Sequence, residues 1–266
     1  MDRPSPLDDA TVAGLADRLH AAERERHPIA RLTDERPDLS VDDAYRIQEA
    51  LIARRLAVGE QIVGAKLGFT SRAMRDALGV GEPNYGWLTD AMLLPDGSAR
   101  ADELIHPKVE PEIAFLLGRE LAGTATGIPD VLAATAAVLV ALEVVDSRYE
   151  GFRFLGPDNI ADDSSAARVV LGARAVPPGD VDLALLGVVL SVDGEVMATA
   201  AGAAAEGHPA AAVAWLVRRL AAAGRGLRAG EIVISGGLTR PFDLRPGTTI
   251  GVEIDRLGEA TVRMVG

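Results

Sequence analysis

The chain reads as α+β: an N-terminal helical segment over residues 1–60, then a β-rich body over 61–266. Three observations predict this. Residues 8–60 carry apolar side chains at helical spacing in two stretches. After residue 60 the apolar residues fall into short runs bounded by Gly, Pro and Asp. A single late stretch, 209–222, returns to helical spacing. Helices first and strands afterwards favour segregated packing over an alternating βαβ plan.

The first helix is expected over 9–22 and the second over 40–57. Ser40 with Asp43 resembles a capping box opening the second helix. Its apolar face would hold Val41, Ala44, Ile47, Leu51 and Ile52. A polar turn, 33–37, separates the two. Residues 61–67 read as a strand, 71–78 as a short helix and 81–90 as a loop. Strand-like runs follow at 109–117, 138–145, 167–171 and 185–192, the last before the turn Asp193–Gly194. In the late helix Pro209 suits the first turn and Gly224 the end. Runs at 231–235, 248–254 and 259–265 are strands again, the last two joined across residues 255–258.

Composition narrows the function. The 266 residues are 48% hydrophobic with a net charge of −12. That balance marks a folded, soluble chain and argues against nucleic acid or an anionic membrane surface as partner. The longest apolar run, 131–145, is too short to span a bilayer. The first residues have neither the basic start nor the apolar core of a signal peptide, so a cytoplasmic location is expected. There are no cysteines and only four histidines, none in metal-binding spacing with another. A metal would therefore have to be held by carboxylates.

The richest stretch is His106-Pro-Lys-Val-Glu-Pro-Glu-Ile-Ala-Phe115. In a strand, Glu110 and Glu112 point to one face while Ile113 and Phe115 face the core. Two like charges on one face call for a neutralising partner, and a hard divalent cation serves well. Glu143 closes a second apolar run and needs a partner too. On spacing alone a solvated strand edge with an ordinary ion pair remains open. Lys66, in the apolar strand segment Gly-Ala-Lys-Leu-Gly at 64–68, is costly to bury unless it meets an anion. The polar run 157–165 is suited to a turn or to a carboxylate ligand. Gly236–Gly237, between Ser235 and Thr239, lets backbone N–H groups approach an anion. No Walker or G-x-G-x-x-G loop is present, so nucleotide binding is not expected.

Taken in order, G-A-K-L-G-F-T-S at 64–71, H-P-K-V-E-P-E-I-A-F at 106–115, A-L-E-V-V-D-S-R-Y at 141–149, I-A-D-D-S-S at 160–165, G-H-P-A-A-A-V-A-W-L at 207–216 and I-S-G-G-L-T at 234–239 resemble a known group. It is the 4-oxalocrotonate decarboxylase and 2-oxopent-4-enoate hydratase family of the fumarylacetoacetate hydrolase superfamily. The resemblance runs from about Ser40 to the C-terminus and implies a fumarylacetoacetate-hydrolase-like body. It implies that Glu110, Glu112 and Glu143 bind Mg²⁺ or Mn²⁺ and that Lys66 is the active-site lysine. Leu67, Ser164, Ser165, Arg148 and Arg153 are the candidate contacts to a small 2-oxo acid substrate, with either arginine a candidate for its distal carboxylate. His106 is expected to be structural. A homo-oligomer, and a complex with a hydratase, are the implied partners.

One departure separates the two activities. Hydratases of this type tend to carry Pro-Asp-Phe-Gly, whereas this chain has Pro83-Asn84-Tyr85-Gly86 followed by Trp87-Leu88-Thr89-Asp90. Asn84 cannot titrate. That pattern, with Asp146-Ser147-Arg148-Tyr149 and Phe152-Arg153-Phe154, looks more like the decarboxylases. Decarboxylation of a 2-oxo-3-enedioate is the leading expectation; water addition to 2-hydroxypentadienoate, or a non-catalytic partner role, are the alternatives.

Overall fold

In a computed structural model, residues 6–72, 75, 76 and 80–266 are described. Helix α1 (Asp9–Glu25) is capped by the Asp8 carboxylate, which accepts from the Thr11 N–H at 2.7 Å. A short helix α2 (Leu32–Glu35) occupies the expected polar turn. Helix α3 (Val41–Ala57) opens on Ser40, whose hydroxyl accepts from the Asp43 N–H at 3.0 Å. Ala44, Ile47, Leu51 and Ile52 are buried along its inner face, while Val41, at its first turn, is 40% exposed. Helix α1 packs on α3, and α3 packs on α5 (Gly156–Ala161).

Among the described residues, twelve strands form two sheets. The larger runs β2 (Asn84–Thr89), β1 (Ile62–Gly68), β9 (Ile232–Ile234), β4 (Lys108–Leu117), β5 (Thr135–Val145), β6 (Ala166–Leu171), with β10 (Phe242–Asp243) also on β4. The smaller runs β3 (Ser98–Arg100), β12 (Gly258–Val265), β11 (Thr249–Ile254), β7 (Gly187–Val192), β8 (Glu195–Ala201). Strands β11 and β12 pack against β5. Helix α6 (Pro209–Ala221) lies on α4 (Ile128–Ala134) and reaches β1. One continuous apolar core extends from Val12 on α1 to Met264 on β12, so the helical segment and the β body share it.

Several elements differ from the sequence expectation, among them the short strands β3 and β10 and helix α5, which lies in a run read as a turn. Residues 84–89 form a strand rather than a loop. All six are buried, so the strand lacks the inside–outside alternation that marks a half-exposed one. Strand β8 is not expected from the sequence, because three of its seven residues are alanines, which are depleted in strands. Helix α4 precedes β5 within what reads as a single apolar run. The expected helix over 71–78 falls partly outside the described residues.

Candidate active site and metal centre

Strands β4 and β5 build the acid cluster through register. Glu110 pairs directly opposite Glu143, and Glu112 stands opposite Ala141, so all three carboxylates project from one face. One carboxylate oxygen from each lies within 4.8 Å of the others. The opposite face of β4 sends Val109, Ile113 and Phe115 into the core. Pro111 between the glutamates is tolerated for a definable reason. Its carbonyl accepts from the Leu238 N–H at 2.9 Å, so its missing donor faces an irregular loop and not a ladder partner.

That loop, 235–241, runs antiparallel beside β4 and closes the cluster. The Gly236 N–H donates to Glu112 Oε2 at 2.7 Å. Gly236 has φ +92°, and a Cβ there would sit 2.1 Å from the Thr70 hydroxyl. A Cβ on Gly237 would come within 2.8 Å of the Glu110 carboxyl. The glycine pair does bring a backbone N–H to an anion, and that anion is the protein's own Glu112.

Lys66 supplies the counter-charge. It is 3% exposed, on β1 two strands away from β4. Its Nζ lies 3.0 Å from Glu143 Oε2 and donates to the Ser164 carbonyl at 2.9 Å. The Ser164 oxygen is aimed there by an unusual turn: Asp163, Ser164 and Ser165 have φ of 49°, 52° and 58°, a left-handed run that side chains rarely adopt. A polar chain leads away from it. Ser164 Oγ donates to Asn84 Oδ1 at 2.9 Å, Asn84 Nδ2 to Asn159 Oδ1 at 2.7 Å, and Asn159 Nδ2 to Ser165 Oγ at 3.1 Å.

One cation cannot satisfy two buried carboxylates and a third, Glu110, that is half-buried. Burial, and then the neighbouring Glu143 charge, push the Glu110 carboxyl up to about 7 against the pull of Lys66. Burial raises Glu112 well above the ordinary carboxylate range, and raises Glu143 too despite Lys66. Burial works against the Lys66 charge, but Glu143, Glu112 and Glu110 outweigh it and raise its pKa. A raised carboxylate pKa means the folded, metal-free chain binds more protons than the unfolded one. The Glu110 contribution to stability therefore falls as pH rises from about 4.5 to about 7. Glu112 Oε1 and Glu143 Oε1 have no hydrogen-bond partner, and Glu143 Oε2 has only its ion pair with Lys66. Orphaned acceptors, an all-oxygen donor set and surplus negative charge fit one hard divalent cation.

The cluster opens into a cavity of about 510 Å³ lined by Lys66, Leu67, Glu110, Ser164 and Ser165. It is walled by Phe69, Phe152 and Phe154, with Lys108 and Arg240 also on its surface. Arg148 is elsewhere. Its guanidinium is enclosed, 1% exposed, clamped by Asp162 and donating at 2.9 Å to both the Asp146 and Ala166 carbonyls. Four of its five N–H donors are spent on these internal partners, and it is not among the residues that line the cavity. Arg153 is exposed on the segment beside the cavity but is not among its lining residues. His106 donates its backbone N–H to Asp146 at 2.8 Å, its Nε2 lies 2.7 Å from the Ser147 carbonyl, and its ring packs on Phe152. The cationic lining residues Lys108 and Arg240 are the ones sequence reading missed. Lys108 carried a signal, being two residues from Glu110 on the same strand face.

An acid triad across a β4–β5 ladder, a buried lysine facing it, and an adjoining cavity form a candidate carboxylate metal site. The chain belongs to the fumarylacetoacetate hydrolase family, whose fumarylacetoacetate (FAA) hydrolase C-terminal model matches residues 73–265. It is 40% identical over 260 residues to 4-oxalocrotonate decarboxylase from Pseudomonas putida, spanning 97% of this chain and 98% of that protein. It is 42% identical over 216 residues to 2-hydroxypent-2,4-dienoate hydratase from the same species, spanning 80% and 97%. The fold superposes with a TM-score of 0.94 on the structure of 4-oxalocrotonate decarboxylase from Pseudomonas putida G7 complexed with magnesium and adipate. That match has 38% identity and covers 97% and 99% of the two chains. No helix among the described residues is long and apolar enough to cross a membrane.

Proposed function

We propose that this protein is a metal-dependent decarboxylase of a 2-oxo-3-enedioate of the 4-oxalocrotonate type, giving 2-hydroxypenta-2,4-dienoate and CO₂. The observation that carries the choice over hydration is Asn84. Its amide oxygen accepts from Ser164 and its amide N–H₂ donates to Asn159, so the position offers no titratable group to pass protons to and from water. Loss of CO₂ asks for less. The C5–C6 bond breaks, its electron pair runs through the conjugated chain to the 2-oxo oxygen, and that oxygen takes up one proton.

Glu110, Glu112 and Glu143 would hold Mg²⁺ or Mn²⁺, which supplies Lewis acidity at the 2-oxo acid end of the substrate. Lys66 stays charged beside Glu143 and offsets negative charge growing on the substrate oxygen. The Ser164 carbonyl fixes the ammonium so that it need not reorganise. Ser164 and Ser165 line the cavity at the proximal end, where contact with the substrate carboxylate requires their hydroxyls to turn from Asn84 and Asp162; Leu67 lies beside them, and the three phenylalanines exclude water. Retention of three acids and Lys66 speaks against a purely non-catalytic partner. Self-association draws support from β8, an edge strand with Val196 59% and Met197 45% exposed.

Product analysis tests the assignment. The Mg²⁺-loaded protein, given 2-oxohex-3-enedioate, is expected to release one CO₂ per 2-hydroxypentadienoate formed. In Asn84→Asp the new carboxylate still accepts from Ser164, and a flip of the Asn159 amide accommodates its other oxygen. Water addition to 2-hydroxypentadienoate, relative to decarboxylation, should then rise by about tenfold or more. Water addition by the unmodified protein with no CO₂ from the enedioate would make it a hydratase.

A further inference from the structure

The loop that closes the acid cluster also carries a cation without a carboxylate partner. From Gly236 at Glu112 and Gly237 at Glu110, residues 236–243 run down the side of β4 until Asp243 pairs with Lys108 and Phe242 with Val109. Arg240 therefore lies between the level of Glu110 and the level of Lys108, and it lines the same cavity. Glu110 and Lys108 are separated by about 7 Å along the strand. Two positive groups thus line the cavity on the Lys108 side of Glu110.

They are not equivalent. Lys108 is held by the Asp243 carboxylate and sits 5.5 Å from the Phe152 ring centre, so its charge is already matched. Asp243 is shared with Arg245 at 3.0 Å. Arg240 stacks on Phe242, with its guanidinium carbon 4.1 Å from the ring centre, and makes no ion pair among the described residues. Stacking fixes the plane of the guanidinium while leaving its edge N–H groups for a planar bidentate acceptor. A carboxylate is that acceptor.

Resting on the decarboxylase reading, we propose that Arg240 is the specificity-determining residue for the distal carboxylate of a dicarboxylic 2-oxo acid, gripping it on the Lys108 side of the acid cluster. Because the grip exists before the C–C bond breaks, it contributes to affinity for diacids over monoacids and not to stabilisation of the developing enolate charge.

Calorimetric titration of the Mg²⁺-loaded protein with adipate and with hexanoate tests this without turnover. The unmodified protein should bind adipate more tightly than hexanoate. Arg240→Gln should weaken adipate on the order of 10- to 100-fold, the worth of a charge-assisted bond, and leave hexanoate within about twofold. Lys108→Met, which removes a charge already matched by Asp243, should weaken adipate by a smaller factor. Arg240 is exposed, so its variant should keep the parent's thermal unfolding midpoint. An unchanged adipate affinity in Arg240→Gln, or a larger loss in Lys108→Met, would overturn the role of Arg240 while leaving the decarboxylase reading intact. No preference for adipate in the unmodified protein would overturn both.

Discussion

Replacing Lys66 by alanine is expected to lower kcat by about 10² to 10³, the scale of removing one preorganised charge-stabilising group. Three features set this size. Lys66 is nearly inaccessible, it is held at once by Glu143 and the Ser164 carbonyl, and it lines the cavity. No other lysine or arginine is within an ion-pair distance of Glu110, Glu112 or Glu143 among the described residues, so nothing substitutes for it. Divalent-ion binding should survive, because none of the three candidate ligands is touched. Steady-state kinetics at saturating Mg²⁺ gives the answer. A kcat within about threefold of the parent would mean that the lysine only balances charge among the acids and takes no part in the reaction.

Glu143→Gln is expected to raise the Mg²⁺ dissociation constant by about 100-fold or more. Loss of an outer-sphere partner alone costs about 10- to 100-fold, and a ligand's own charge costs at least the upper end. Glu143 is the most telling of the three. It is fully buried, its Oε1 lacks a hydrogen-bond partner, and it faces Glu110 across the ladder. Its amide replacement keeps volume, so packing around β5 should hold. Titration calorimetry with Mg²⁺ reads the change. An unaltered affinity would move the ion away from the β4–β5 ladder.

Much of this site is legible in the amino-acid sequence. Period-two geometry puts Glu110 and Glu112 on one face, and that reading needs only the knowledge that 109–117 is a strand. The Ser40–Asp43 cap and the late helix follow from local rules of the same kind. Glu143 opposite Glu110 is a matter of register between strands joined by a long connection, which spacing along one chain does not encode. Strand β2 is hidden because both its faces are covered. Arg148 illustrates the opposite failure. Its neighbourhood reads as ligand-binding, yet the guanidinium is used to brace the Asp162 turn that ends in the left-handed run at 163–165. Arg240 is invisible because β10 pairs with β4 only at Phe242 and Asp243, and that short contact brings the arginine to the cavity.

The position of a bound ion tests the central claim most directly. Crystals soaked in MnCl₂, with data collected for anomalous scattering from manganese, should give one peak coordinated by oxygens of Glu110, Glu112 and Glu143 at about 2.1–2.2 Å, the usual length for small hard divalent ions. A sole manganese peak more than about 3 Å from those carboxylates, in crystals that hold the ion, would contradict the account.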